Sequence, residues 1–295
     1  TNGINVSNPN ISTDARGIGI ALVNGKNKAN NGLTTNGGVI ELTGASDGAL
    51  GASALSSAAS GSALTGSTLL SSGSTLTLGM GKNDIVTGKK GIGIYAENAN
   101  IKVNSDKFTV ETKDNGVGLW GMDNTLVADN AKAANGYSAH NKIFQYNYNG
   151  GMKKNGFAMA FGAKHGGTSK NYMDIKFTNQ GKSGNPTIVD LQHASRTKGT
   201  EAGIVGILVN TNDADDIVNN YGKISEEKSV TNLKAYGAVV NKGTFKNYGD
   251  ITLNESLSAH AKDVTSEDMK KANIGIFAND LNDKEGGKNT YIENY

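Results

Sequence analysis

The chain has no cysteine and only two prolines, Pro9 and Pro186, in 295 residues. Without Cys there is neither a disulfide framework nor a thiolate zinc site. That absence does not fix a compartment, because secreted proteins can also avoid Cys. Scarce proline, with glycine in no triplet period, excludes a collagen helix. Arginine is nearly missing too: Arg16 and Arg196 stand against 27 lysines. Bidentate phosphate and guanine contacts usually rely on Arg, and the formal net charge is only +2. Nothing in the charge therefore draws the chain to nucleic acid. The longest strongly apolar run, Ala202–Val209, is eight residues, against about twenty for a membrane span. No basic-then-apolar leader opens the chain, so a mature or excised piece of a longer protein is expected.

What is abundant is glycine and asparagine, 40 and 37 residues, about a quarter of the chain. Leu, Ile, Val and Phe together number 61. That share borders on disordered compositions, but disorder also calls for a large net charge. Gly, Asn, Ser and Thr are poor in helix interiors, which argues against a helical bundle. An all-β chain with many turns remains.

A phrase recurs along it. It reads Gly17-Ile18-Gly19-Ile20-Ala21-Leu22-Val23-Asn24, then Gly91-Ile92-Gly93-Ile94-Tyr95-Ala96-Glu97-Asn98. It returns as Val205-Gly206-Ile207-Leu208-Val209-Asn210, Tyr236-Gly237-Ala238-Val239-Val240-Asn241 and Ile274-Gly275-Ile276-Phe277-Ala278-Asn279, with a short echo at 116–120. The alternation is that of a strand with one buried face, and the closing Asn suits a turn. A second phrase interleaves with it: Val218-Asn219-Asn220-Tyr221-Gly222-Lys223-Ile224 and Phe245-Lys246-Asn247-Tyr248-Gly249-Asp250-Ile251. Ile292-Glu293-Asn294-Tyr295 begins it again, as expected of a piece of a longer repeat array.

The spacings suggest the architecture. Gly91 to Gly116 is 25 residues and Asn220 to Asn247 is 27. Gly17 to Gly91, 74 residues, reads as three such steps, and Asn247 to Asn294, 47 residues, as two. A ragged period in the twenties with short β phrases marks a solenoid. Leucine is too sparse for leucine-rich repeats, and propeller blades need longer periods. A parallel β-helix is expected, of about a dozen coils at 4.8 Å per coil, roughly 55–60 Å long. Ile18/Ile20/Leu22, Ile92/Ile94/Ala96 and Val205/Ile207/Val209 should stack as inward columns, and the Asn after each strand as inward or corner ladders.

Three stretches break the period. Residues 44–75 are rich in Gly, Ala, Ser and Leu and fit an extruded loop, small-residue coils or a weak helix. Residues 121–155 carry Tyr137, Phe144, Tyr146 and Tyr148 among polar residues and read as an insertion. Within 257–272, Thr265-Ser266-Glu267-Asp268-Met269-Lys270-Lys271 predicts a short helix: an N-cap, then acids, then bases. One β-helical unit over 1–295 with these three insertions is the expected organisation.

The phrases at 91–98 and 237–251 resemble the passenger domains of type V autotransporters, most of all the large fusobacterial outer-membrane adhesins. The likeness covers about 75–121 and 200–295, is looser over 1–43 and stops at the insertions. It implies a right-handed parallel β-helix, export through a C-terminal membrane barrel not contained in this sequence, and a role in adhesion. No ligand motif of that family maps onto particular residues.

β-helices also include glycan-cleaving enzymes, so their chemistry needs weighing. Polygalacturonase-type sites use Asn-Thr-Asp, Asp-Asp, Gly-His-Gly and Arg-x-Lys in that order, clustering carboxylates for acid–base hydrolysis. Here Asn210-Thr211-Asn212-Asp213 and Asp215-Asp216 follow His165-Gly166-Gly167 and Arg196-Thr197-Lys198, which is the wrong order. Two arginines leave little for a lyase base. The Gly-Asp-Ser-Gly segment of passenger serine proteases is missing. His140, His165, His193 and His260 have no paired metal spacing and read as surface residues. Gly79-Met80-Gly81-Lys82-Asn83-Asp84-Ile85 resembles one calcium nonapeptide, but that motif works in stacks, so a plain turn is preferred. Gly91-Ile92-Gly93 lacks the rest of a dinucleotide fingerprint.

Phe144, Tyr146 and Tyr148 alternate and so share one face of an extended segment. With Tyr137 they form the candidate ligand site, since exposed aromatic faces suit sugar rings or partner anchors. The alternative is that they cover a flank of the rod, with Phe157, Met159 and Phe161 packed under them. A non-catalytic adhesin passenger is thus expected, monomeric, on a bacterial surface, with a glycan or protein receptor on another cell and no metal or cofactor. A β-helical carbohydrate-active enzyme or a purely structural stalk are the alternatives.

Overall fold

The computed structural model describes residues 3–7, 10–13, 18–22, 32–36, 38–42, 66–70, 75–78, 82–86, 91–103, 105, 107–113, 115–129, 143–148, 156–163, 166–178, 204–211, 215–227, 235–254, 273–278 and 290–295, with side-chain burial given at Asp84 and from residue 91 on. The described chain is all strand, and every strand pairing is parallel. Each strand pairs with those about three places before and after it, so the chain revisits three stacks in turn.

The first stack holds β1 (Gly3–Ser7), β4 (Gly32–Asn36), β7 (Thr75–Leu78), β10 (Asn100–Val103), β13 (Leu126–Asp129), β16 (Thr168–Asn171), β19 (Ile217–Asn220), the far half of β21 (Ala235–Asn247) and β24 (Thr290–Asn294). The second holds β2 (Asn10–Thr13), β5 (Gly38–Leu42), β8 (Lys82–Val86), β11 (Lys107–Thr112), β14 (Ile143–Tyr148), β17 (Asp174–Thr178), β20 (Ile224–Glu226) and β22 (Ile251–Thr252). The third holds β3 (Ile18–Leu22), β6 (Gly66–Leu70), β9 (Ile92–Glu97), β12 (Val117–Met122), β15 (Gly156–Gly162), β18 (Ile204–Asn210), the near half of β21 and β23 (Ile274–Ala278). Strand β21 bends from the third stack into the first at Gly243, whose φ of 112° favours glycine. A Cβ there would also collide with the Thr211 hydroxyl.

The described strands make fewer layers than the spacing suggested. The 74 residues from Gly17 to Gly91 hold two steps, Ile18 to Gly66 and Gly66 to Ile92. Asn247 pairs directly with Asn294, so those 47 residues are a single step. Long connections inside some layers inflate the apparent count. The first stack's nine strands span eight spacings, about 38 Å at 4.8 Å each.

One apolar interior lies between the stacks and draws on all three, with Ile94 and Met159 from the third, Ile101 and Val127 from the first, and Phe108 and Ile175 from the second. Burying side chains of this size stabilises by about 1.5–3 kcal/mol each. In the first and second stacks burial alternates, as in β17 and β19. The third stack is different: all seven residues of β15 are buried. Tyr95, Ala160 and Val239, between inward neighbours, belong to a second apolar cluster on the opposite face. Strands buried on both faces read as near-continuous apolar runs. The expected inward triples are corrected accordingly. Ile94, Ala96, Ile207 and Val209 face the interior, whereas Ile92 and Val205 belong to the second cluster. Ile18, Ile20 and Leu22 lie on β3, where side chains are outside the described residues.

The expected insertion at 121–155 contains regular structure: β13 and β14 both pair with strands on either side. Within 44–75, β6 pairs β3 and β9. The proposed helix in 257–272 lies outside the described residues.

Candidate functional site

The aromatic triplet of β14 turns inward. Phe144, Tyr146 and Tyr148 are 0%, 1% and 7% exposed, so the face they share is the core face and not a surface for a ligand. Their partners explain why. Phe144 stands beside Phe108 edge-on, centroids 5.1 Å apart, and Tyr146 lies 6.1 Å from Phe177. The Tyr146 hydroxyl and Thr112 Oγ1 are 2.7 Å apart, a buried hydrogen bond across the strand pair. Burial pushes the Tyr146 phenol well above its ordinary pKa, with the Thr112 bond acting the other way. Gly156 leaves the room that Tyr146 and Tyr148 fill, since a Cβ there would collide with the Tyr146 hydroxyl and the Tyr148 ring. Met159 and Phe161 share this interior, while Phe157 lies in the second cluster. Tyr137 lies outside the described residues.

A different aromatic array reaches the surface where the first stack turns toward the second. Tyr172, Tyr221, Tyr248 and Tyr295 stack ring on ring at 4.5, 4.8 and 4.6 Å, within 8° of parallel. The first three are half-buried and Tyr295 is 70% exposed. Behind each ring, one residue earlier, stands an asparagine. Asn171 Nδ2 donates to Asn220 Oδ1, Asn220 Nδ2 to Asn247 Oδ1, and Asn247 Nδ2 to Asn294 Oδ1, each at 2.8 Å. The same amides also donate to the carbonyls of Met173, Gly222 and Gly249 two residues on. The ladder is formed by the asparagines of the second phrase, and not by those that close the first. Asn98, which closes a first phrase, is exposed with φ of 48° and makes a left-handed corner. Asn210 is exposed where the pairing of β18 with β21 shifts register.

The Asn and Tyr columns begin partway along the stack. Register places Val127 and Ala128 before Asn171 and Tyr172, and Ile101 and Lys102 before those. Missing this array from the sequence has a simple reason. Asn171-Tyr172 lacks the following Gly, and the 47-residue step hid that Tyr295 sits on Tyr248. The signal was there in the Asn-Tyr dipeptide itself.

Among the described residues no group of three His, Asp or Glu side chains is placed to hold a metal. All four histidines and both arginines lie outside the described residues. Asp215 is exposed and Asp216 buried. Of the segment 79–85, expected to be a plain turn, Lys82 to Ile85 belong to strand β8. The most unusual acid is Glu226, 9% exposed. Its Oε2 accepts from Asn254 N at 2.9 Å and Asn273 Nδ2 at 3.0 Å, while buried Oε1 has no hydrogen-bond partner among the described residues. Burial raises its carboxyl to about 7 against the opposing pull of those bonds.

No protein-family model, curated protein or solved structure matches the chain.

Proposed function

We propose that the chain is a segment of a right-handed parallel β-helix serving as a non-catalytic adhesin passenger, which presents connecting segments to a receptor on another cell. The observation that carries this reading is where the longest connections fall. The stretches 43–65, 179–203 and 253–273, each longer than twenty residues, all join the second stack to the third. Every other stretch between described strands is thirteen residues or fewer. A repeated scaffold that concentrates its long segments at one corner suits display, because loops on a rigid frame commonly carry binding. Right-handed crossovers between parallel strands are the rule. Attachment would rest on many weak contacts made multivalent by display at the cell surface. Resemblance to autotransporter passengers supports an outer-membrane setting, a glycan or protein receptor and a monomeric rod.

A purely structural stalk is the second reading, favoured by the burial of Phe144, Tyr146 and Tyr148. Replacing 179–203 and 257–272 with short Gly-Ser linkers separates the two. Loss of binding to a glycan array and to partner cells, with an unchanged far-UV spectrum, supports display. Attachment that survives both replacements, or no attachment by the intact chain, leaves the stalk.

A further inference from the structure

Tyr172, Tyr221 and Tyr248 set three phenols in contact where the first stack turns toward the second, and two constraints keep them there. Tyr221 N donates to Asn171 O and Tyr248 N to Asn220 O, both at 2.8 Å. The Asn171–Asn220–Asn247 ladder behind the rings ties the same three layers through side chains. Centroids 4.5 and 4.8 Å apart, with planes 8° from parallel, place both faces of Tyr221 against a neighbouring ring. A ring covered in this way has no face to offer a sugar or a planar ligand. All three rings are half-buried, so what they present to solvent is their edges, with the hydroxyl and the ortho carbons beside it. Tyr146 and Tyr236 are placed differently: both are buried, and they stand beside Phe177 and Phe277.

We propose that this column is an oxidative cross-linking site, where a peroxidase and hydrogen peroxide join successive tyrosines into dityrosine. Through the peroxidase, hydrogen peroxide takes one hydrogen atom from each of two phenol O–H groups and becomes two waters. The two phenoxyl radicals carry spin on their ortho carbons, and one C–C bond forms between them. Each of those carbons then gives up its hydrogen as a proton and each oxygen regains one, which restores both phenols. The net change is the loss of two hydrogens per link. Stacking favours the oxidation itself, since positive charge on an oxidised ring is attracted by the π face beside it. Contact also lets one radical meet the next without diffusion. The links would join Tyr172 to Tyr221, 49 residues on, and Tyr221 to Tyr248, 27 residues on. Closing loops of that length restricts the unfolded chain as a disulfide does, and this chain has no cysteine to make one. The site rests on ring geometry and holds whether or not the chain is an adhesin.

The test treats the dilute full chain with a haem peroxidase and hydrogen peroxide, then maps tryptic peptides of the monomeric product by mass spectrometry. Peptide pairs lighter by two hydrogens, joining Tyr172 to Tyr221 and Tyr221 to Tyr248, are expected. Tyr221→Phe keeps a ring in the stack and should remove both links. The Tyr248–Tyr295 pair, 4.6 Å apart, should still react in that variant and serves as its control. Tyr172→Phe should remove the first link alone, and circular dichroism checks that each variant folds. In concentrated urea the yield of both links should fall at least tenfold, because only the folded register holds the rings together. Equal yields with and without urea, or a monomeric product whose dityrosine joins other tyrosines, overturns the proposal. So does a folded chain that stays unlinked while tyrosine added to the same mixture couples.

Discussion

Asn220 spends its side-chain amide twice, on Asn247 Oδ1 in the next layer and on the Gly222 carbonyl of its own turn, both at 2.8 Å. Its Oδ1 accepts from Asn171 in the layer before. One fully buried residue therefore ties three layers and its own corner. Asn220→Ala leaves the Asn171 donor, the Asn247 acceptor and the Gly222 carbonyl without this partner. At about 1–3 kcal/mol for each buried group left unsatisfied, the loss should reach roughly 3 kcal/mol or more. Asn294→Ala, at an exposed residue, should cost under about 1 kcal/mol. Urea midpoints of the two variants measure the gradient; equal losses would mean that the ladder is not cooperative along the stack.

The inward aromatics give an independent check on where binding lies. Phe144→Ala should destabilise by about 3–5 kcal/mol, the usual range for a buried Phe. Tyr146→Phe keeps the ring and removes the bond to Thr112, at about 1 kcal/mol. Neither should change receptor or glycan binding per folded molecule, because neither ring reaches the surface. A Tyr146→Phe protein that melts normally but loses a ligand would return the binding site to this strand.

These residues also mark how far the sequence could be read. Period-two spacing correctly put Phe144, Tyr146 and Tyr148 on one face, but spacing alone does not say which face is inside. That is decided by what register sets beside them, Phe108, Val110 and Phe177, at separations that no fixed repeat announces. The parallel, repeating strands were legible because the Gly-apolar phrase recurs. Their number was not, since a long connection and an extra layer lengthen a gap equally. The double burial of the third stack had a signal in Phe157-Ala158-Met159-Ala160-Phe161, whose continuous apolar run fits a strand covered on both faces better than a strand with one wet side.

Among the described residues the buried Tyr95 hydroxyl has no hydrogen-bond partner, and burial first, then the charges of Glu97 and Asp123, push its phenol far up. Such a group has surrendered its water without compensation. Tyr95→Phe should therefore stabilise the fold by about 1 kcal/mol. A denaturant titration reads this directly, and a loss of similar size would show that the hydroxyl has an acceptor after all.

Glu226 makes stability depend on pH in an unusual direction for an acid. Its carboxyl titrates near 7 in the folded chain, because burial outweighs the bonds from Asn254 and Asn273. In the unfolded chain it titrates near the ordinary Glu value of about 4.3. Between those values the folded state holds more protons, so stability falls as pH rises. The contribution is fully present below about pH 4 and gone above about pH 7, on the order of 4 kcal/mol across the window at 1.36 kcal/mol per pH unit. Other carboxylates act oppositely at the acid end, so the clean readout is the difference from Glu226→Gln, which cannot titrate. Melting temperatures of the two proteins, taken from pH 4.5 to 8, should diverge steadily, with the native chain losing ground as pH rises. Parallel curves would mean that Glu226 is ionised and satisfied throughout, and that its Oε1 has found a partner.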